Sequence, residues 1–385
     1  MSYKINYYES TCYTWMGAGA VKKVGEAAKE KGLKKMLIVT DPFLGSSPIV
    51  EKVKASLDAE GVGYVVFDKC NVDPLDTVVY EAAELGKQEG IDGIIGLGGG
   101  SPMDAAKSIG ILQTNPAPLS QYYGVFAPNP TVPIFEIPTT TGTGSESTFY
   151  SVISDTTTNT KKVPFQKADL AICDPELTYD LPAELTAATA MDAFAHAAEC
   201  MTGLIQCPKT DALCGWGIKL LMENVETAVH DPHNEKAREN MMIASNLIGA
   251  GFGVMGCHLG HAIGQCMGAA FHTTHGISCA WPLPAVMEYA AVSEPEQVKL
   301  VADYMGLTYD PDITPEGIGK LVSDEIKALM KRIHIKPMTE YGITREAMVG
   351  IADIVMADNC WPVIPRPLSK AQLEEMLGDI WDYNS

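Results

Sequence analysis

Two stretches of the sequence concentrate groups that can hold a metal ion. In Met191-Asp192-Ala193-Phe194-Ala195-His196 a carboxylate and an imidazole stand four residues apart within a helical pattern. That spacing puts them on one face, close enough to chelate a single ion. Further on, the segment from Cys257 to Gly276 carries four of the eight histidines, His258, His261, His272 and His275. The residues around them are small and apolar, and an imidazole left unpaired in such surroundings is costly. One histidine there would read as a satisfied core residue; four, downstream of an Asp-x-x-x-His helix, point to a metal. One Asp with three His is mixed oxygen and nitrogen ligation without thiolate, which suits ferrous iron, zinc, manganese or cobalt. Affinity order ranks zinc above iron, so residue types alone do not choose the ion.

A second group of motifs suits a nucleotide. Gly96-Leu97-Gly98-Gly99-Gly100-Ser101 lies between an apolar strand pattern and the helical pattern Pro102 to Leu112. Glycines let backbone approach a phosphate, and a helix start offers free N–H groups and a positive dipole end. The stretch is not G-x-G-x-x-G and does not follow the first strand, so the standard dinucleotide fingerprint is not met, and a plain strand-to-helix turn remains an alternative. Asp41 ends the strand-like run Met36 to Thr40, where a carboxylate can accept ribose hydroxyls and repel a 2′-phosphate; a simple Asp-Pro turn is the other reading. Thr139-Thr140-Thr141-Gly142-Thr143-Gly144-Ser145 places short hydroxyl donors at the end of another strand-like run.

The elements that must position these groups divide the chain in two. Short apolar runs at 36–40, 64–67, 93–97 and 133–137, separated by helical patterns such as 77–89, predict a parallel sheet covered on both faces. After Asp174-Pro175-Glu176 and Leu181-Pro182 the β-branched runs disappear. Helical patterns take over at 183–204, 209–229, 237–253, 295–305, 314–330 and 369–381. The expectation is an α/β dinucleotide-binding domain over residues 1–182 followed by an all-helical metal- and substrate-binding domain over 183–385. No repeat or low-complexity segment breaks this plan.

Composition narrows the partners. Lys plus Arg number 28 against 48 Asp plus Glu, a net charge of −20. So acidic a surface repels phosphate backbones and anionic lipid, so no nucleic acid and no membrane partner is expected. Ten cysteines are scattered with no C-x-x-C pair, as in the reduced thiols of a cytoplasmic protein. MSYKINYYES has no apolar signal region, and apolar runs stay short of a membrane span.

Taken together, the motifs resemble the iron-containing (group III) alcohol dehydrogenase family, which takes in lactaldehyde reductase, 1,3-propanediol dehydrogenase and butanol dehydrogenases. The likeness rests on Gly98-Gly-Gly-Ser-Pro-Met-Asp-Ala-Ala-Lys107, Pro138-Thr-Thr-Thr-Gly-Thr-Gly-Ser-Glu146, Asp174-Pro-Glu-Leu177, Leu185-Thr-Ala-Ala-Thr-Ala-Met-Asp192 with His196, and the His261 to His275 block. It implies metal ligands at Asp192, His196, His261 and His275, with Fe2+ the family's ion and Zn2+ a substitute. It implies NAD(H) bound by Asp41, Gly98, Gly99, Gly100, Ser101, Thr139, Thr140, Thr143 and Lys162, and substrate against Phe149, Phe252, Cys257 and Cys360. The implied reaction is direct hydride transfer between NAD(H) and a small alcohol or aldehyde, in a homodimer or higher homo-oligomer.

Two departures stand out. Many family members carry a further His four residues after the first ligand of the block, where this chain has Gln265; His272 or a water chain would then serve as proton relay. The family's Asn-Pro-Arg near the C-terminus reads Ile364-Pro365-Arg366. A rival of another class is a metal- and NAD-dependent lyase of the dehydroquinate synthase type. That enzyme needs cations for its substrate, and the segments 149–154, 252–257 and 359–361 hold no Lys or Arg. A non-catalytic NAD- or metal-binding protein is a further rival.

Overall fold

The computed structural model describes residues 8–158 and 160–385. Contacts divide the chain into two compact units, Ser10–Asp180 and Leu181–Ser385, the latter including Tyr8 and Glu9.

The first unit is built on strands β1 (Tyr13–Met16), β2 (Lys35–Val39), β3 (Gly63–Phe67), β4 (Gly93–Gly98), β5 (Ile134–Pro138), the hairpin β6 (Ile153–Asp155) and β7 (Thr160–Lys162), and β8 (Leu170–Cys173). Six form one sheet in the order β1-β8-β5-β4-β2-β3, every pairing parallel. Helices α1 (Val24–Glu30), α2 (Pro48–Ala59), α3 (Asp76–Glu89) and α4 (Gly100–Thr114) belong to the same unit. Alternation along each strand feeds two cores. Met36, Ile38, Ile95 and Leu97 pack with Val24, Val50 and Val53 of α1 and α2. Leu37, Val39 and Ile94 pack with Val79 and Ala82 of α3 and Ile109 of α4. Both faces are covered, which is why the central strands read as continuous apolar runs.

From β2 the chain crosses to β3 on one side and later to β4 on the other. The carboxyl ends of β2 and β4 therefore flank a topological switch point, the usual ligand crevice of an open parallel sheet. Asp41 follows β2, and Gly98-Gly99-Gly100 closes β4 and opens α4.

The second unit is helical, with no strand after Cys173 among the described residues. Its first members are α5 (Ala183–Thr202), α6 (Pro208–His230), α7 (Glu235–Met255), α8 (Leu259–Phe271) and α9 (His275–Ala280); the last helix is Lys370–Tyr383. Ala-rich sequence gives α5 strong helix propensity, and small side chains let α6, α7 and α9 pack closely around it. No single helix among the described residues is long and apolar enough to cross a membrane. The α/β-then-helical order read from the sequence is the observed order; strands β1, β6, β7 and β8 and helices α1, α2, α8 and α9 were not anticipated individually.

Candidate metal centre and nucleotide loops

Helix α5 carries Asp192 and His196 one turn apart on a face that is buried throughout. Helix α8 brings His261 from its first turn, and α9 begins with His275. These four side chains converge. Asp192 Oδ1 lies 3.5 Å from His275 Nε2, 3.7 Å from His261 Nε2 and 4.0 Å from His196 Nε2. Separations of this size are those of neighbouring ligands around one cation with bonds near ~2.1 Å.

Asp192 Oδ1 and His261 Nε2 are buried without a hydrogen-bond partner. Orphaned polar atoms are rare and call for a cause, and a divalent ion between them would supply it. Burial would raise the Asp192 carboxyl, but His196, His275 and His261 hold it below the usual carboxylate range. Burial, against the pull of Asp192, drives His196 down to about 3, so its imidazole is neutral and free to ligate. Burial would lower His261 too, but Cys257, Cys279, Glu199 and Asp192 raise it well above the ordinary imidazole value, so a divalent ion would have to displace its proton. A carboxylate with imidazoles so freed is a donor set that fits the ion.

Of three residues beside this cluster, Glu199 and Cys279 were missed in the sequence, and His258 was named there without a role. Glu199, fully buried, lies on the same face of α5, three residues beyond His196. Its Oε1 is 2.7 Å from His261 Nδ1, and its Oε2 accepts the backbone N–H groups of His258 and His261. Burial opposes ionisation, yet His261, its hydrogen bonds and His258 hold Glu199 down to about 2. His258 is itself buried, with Nε2 3.0 Å from Thr202 Oγ1, and burial lowers it to about 4. Cys279 sits one turn after His275, its Sγ 3.7 Å from His275 Nε2. The spacing Asp192-x-x-x-His196-x-x-Glu199 was a readable signal, since 192, 196 and 199 share a helical face.

The thiols compete with His196 in the geometry. Asp192, His261, His275 and Cys279 have ligand atoms all within 4.8 Å of one another, and so, separately, do His196, Cys257 and His261. The two thiols differ as donors: burial pushes Cys257 up to about 12, so it holds its proton, whereas Cys279, although burial opposes it, is lowered by His261 and His275.

Around the centre, Phe252 lies flat on His196, centroids 4.0 Å apart and planes 5° from parallel. Gln265 donates to Cys360 Sγ at 3.6 Å. Phe252, Cys257 and Cys360 thus belong to one neighbourhood with His196, His261 and Gln265. Phe149 belongs to the other unit, packed among Phe126, Tyr150 and Phe165. His272 is exposed at the C-terminal cap of α8, with φ 55°, and is outside both ligating groups. Arg366 is committed to Tyr289, its guanidinium 4.2 Å from the ring centre and its Nε bonded to the Tyr289 carbonyl.

In the α/β unit the glycine and threonine loops form one surface. Thr139 N–H bonds to the Gly98 carbonyl at 2.8 Å. Gly98 takes φ +148°, a conformation L side chains avoid. A Cβ on Gly99 would lie 3.6 Å from Thr140, and one on Gly100 would press on Thr143 at 3.1 Å. Helix α4 starts here with no side-chain cap and no acidic residue in its first turn, leaving its first N–H groups for an anion. Thr140 Oγ1 is buried without a partner, a further donor for a bound polar group. Ser101 is the second residue of α4. Asp41 Oδ1 accepts the N–H groups of Phe43 and Leu44, closing a turn and leaving Oδ2 as the oxygen that can accept from a ribose. The turn reading of Asp41 therefore holds. Lys162 is half-buried on β7, paired in register with Ile153.

Comparison with known proteins accounts for both units. Residues 13–175 match the family described as iron-containing alcohol dehydrogenase, and residues 186–381 match the C-terminal part of the Fe-containing alcohol dehydrogenase family. The chain is 38% identical over 383 residues to 1,3-propanediol dehydrogenase of Citrobacter freundii, covering 98% of this chain and 99% of that protein. It is 38% identical over 298 residues to the NAD-dependent methanol dehydrogenase of Bacillus methanolicus, covering 76% and 77%. A solved 1,3-propanediol oxidoreductase superposes with a TM-score of 0.93 at 31% identity, covering 99% of this chain and all of that one. The chain belongs to the iron-containing alcohol dehydrogenase family.

Proposed function

We propose that this chain is a metal-dependent, NAD(H)-linked alcohol dehydrogenase or aldehyde reductase, with one divalent ion held by Asp192, His196, His261 and His275. The observation that carries the metal site is the convergence of three imidazole Nε2 atoms within 3.5–4.0 Å of one buried, unpartnered carboxylate oxygen. Iron is the assigned ion by family, and zinc fits the same donors. When bound, the ion supplies Lewis acidity toward an alcohol or carbonyl oxygen. The nucleotide, NAD(H), supplies hydride exchange with the adjoining carbon.

The chain's own residues do the rest. Asp192 contributes one negative charge and the imidazoles none, so a divalent ion keeps net positive charge toward substrate. Phe252 fixes the His196 ring and keeps water from its face. Phe252, Cys257, Gln265 and Cys360 offer no formal charge, and Arg366 is occupied by Tyr289, which suits a small neutral aldehyde, alcohol or diol. His272, exposed between α8 and α9, would exchange a proton with solvent.

On the nucleotide side, Gly98, Gly99, Gly100 and Ser101 would cradle the pyrophosphate at the start of α4. Asp41 Oδ2 would take the adenosine ribose and disfavour a 2′-phosphate. Thr139, Thr140, Thr143 and Lys162 would hold the nicotinamide half, with Phe149 lining substrate. The ten cysteines, all free thiols, suit a cytoplasmic enzyme, and a homodimer or larger assembly is its expected form. The dehydroquinate synthase reading loses ground, because the relatives named above are dehydrogenases of small alcohols. The test is NADH oxidation over a panel of short aldehydes with iron- and zinc-loaded protein. Turnover with neutral C2–C4 aldehydes supports the reading; unimpaired turnover in metal-free protein contradicts it.

A further inference from the structure

Helix α5 presents Asp192, His196 and Glu199 along one face, and the third reaches a different target from the first two. Glu199 meets the start of α8, where a helix leaves its first N–H groups without intrahelical partners. Its Oε2 takes two of them, from His258 at 2.8 Å and from His261 at 3.2 Å. Its Oε1 lies 2.7 Å from His261 Nδ1. Gly260 makes the approach possible, since a Cβ there would meet Oε1 at 2.5 Å. One fully buried carboxylate therefore caps α8 and grips the ring of His261, whose Nε2 faces Asp192 Oδ1 at 3.7 Å.

We infer that Glu199 is a positioning residue that sets the tautomer of His261, holding its proton on Nδ1 so that the Nε2 lone pair points at the ion. The inference rests on the metal-site reading above. A carboxylate is acceptor-only, so the atom facing Oε1 must donate. Once Nδ1 carries the hydrogen, neutral Nε2 is left as the ligating atom, and the ring cannot turn without breaking a charge-assisted bond.

The substitution Glu199→Gln separates this role from capping. Two backbone N–H groups require an acceptor at the Oε2 position, so the glutamine carbonyl goes there and its NH2 faces Nδ1. Nδ1 must then accept, the imidazole proton moves to Nε2, and Nε2 can no longer ligate.

The experiment measures zinc affinity of the full chain by competition with a chromophoric chelator, alongside thermal melting of the metal-free protein. Glu199→Gln is expected to weaken zinc by about 10–100-fold while melting stays close to wild type. Gly260→Ala, which pushes the carboxylate off the ring, is expected to weaken zinc in the same direction. Zinc binding by Glu199→Gln as tight as wild type overturns the inference and leaves the metal site standing. A wild-type chain that binds no zinc and no iron sinks the metal-site reading itself. Should Glu199→Gln not fold, zinc-loaded wild type labelled with 15N-histidine decides: a slowly exchanging Nδ1–H resonance for His261 supports the role, and an Nε2–H resonance refutes it.

Discussion

Glu199 under the metal cluster and Glu136 in the middle of the sheet are both fully buried carboxyl groups, and they are held in opposite states. Glu199 faces three N–H groups, and these with His258 hold it down to about 2. Glu136, on β5, has neither oxygen hydrogen-bonded, and Lys107 Nζ stands 3.7 Å from Oε2 with its own bonds going to Ser145 and the Tyr150 carbonyl. Burial, reinforced by Asp104 and Glu146, raises Glu136 well above the ordinary glutamate value despite Lys107. Burial alone does not decide charge in this molecule; aimed donors do. The same contrast separates the two sites. In the proposed function the metal centre would concentrate its chemistry in four side chains, whereas the nucleotide loops would spread theirs over backbone N–H groups and hydroxyls.

The largest expected effect follows from that concentration. His275→Ala should remove metal and activity together, lowering kcat/KM by about 10³-fold or more, the several kcal/mol a Lewis acid contributes. Metal analysis and aldehyde kinetics on the same preparation check it, and an active, metal-loaded variant would undo the concentration argument. Thr140→Val probes the distributed site. With Gly98 to Gly100 intact, losing one hydroxyl should raise KM for NADH about tenfold or less, about the ~1 kcal/mol of a single neutral hydrogen bond, and leave metal content unchanged.

Glu136→Met sharpens the carboxylate pair. A carboxyl whose folded pKa is raised binds its proton more tightly when folded. It therefore loses stability as pH rises above the unfolded value near ~4.5. Replacing it should raise the melting temperature, worth about 1–3 kcal/mol at pH 8 and progressively less toward pH 4, read by melting across that range. A gain independent of pH would mean Glu136 is ionised as Glu199 is. His272→Ala should have the smallest effect, a few-fold loss in kcat, because an exposed proton acceptor can be replaced by buffer or water.

What the sequence disclosed, and what it withheld, has a physical pattern. Parallel strands buried on both faces leave continuous apolar runs, so β2, β4 and β5 were visible, and the half-buried edge β3 carries such a run too; β1 is an exposed four-residue edge with no such run, and β6 and β7 are three-residue hairpin strands. Helices α8 and α9 hide among glycines and histidines, whose residue types announce chemistry before structure. Asp192 and His196 were legible because a ligand pair on one helix has a fixed spacing. Glu199 shares that helix but acts on α8, and a sequence shows spacing within an element, not the element it reaches. Cys279 stands four residues after His275, a spacing as readable as that of Asp192 and His196, while its other neighbours Asp192 and His261 come from other helices.

Because thiols stand beside the same cluster, X-ray absorption at the metal edge of the loaded protein tests the central claim most directly. The account requires imidazole nitrogens and a carboxylate oxygen near ~2.0–2.2 Å, with no sulfur neighbour. A sulfur at about 2.3 Å would place Cys279 or Cys257 on the ion and contradict the assignment of Asp192, His196, His261 and His275 as its protein ligands.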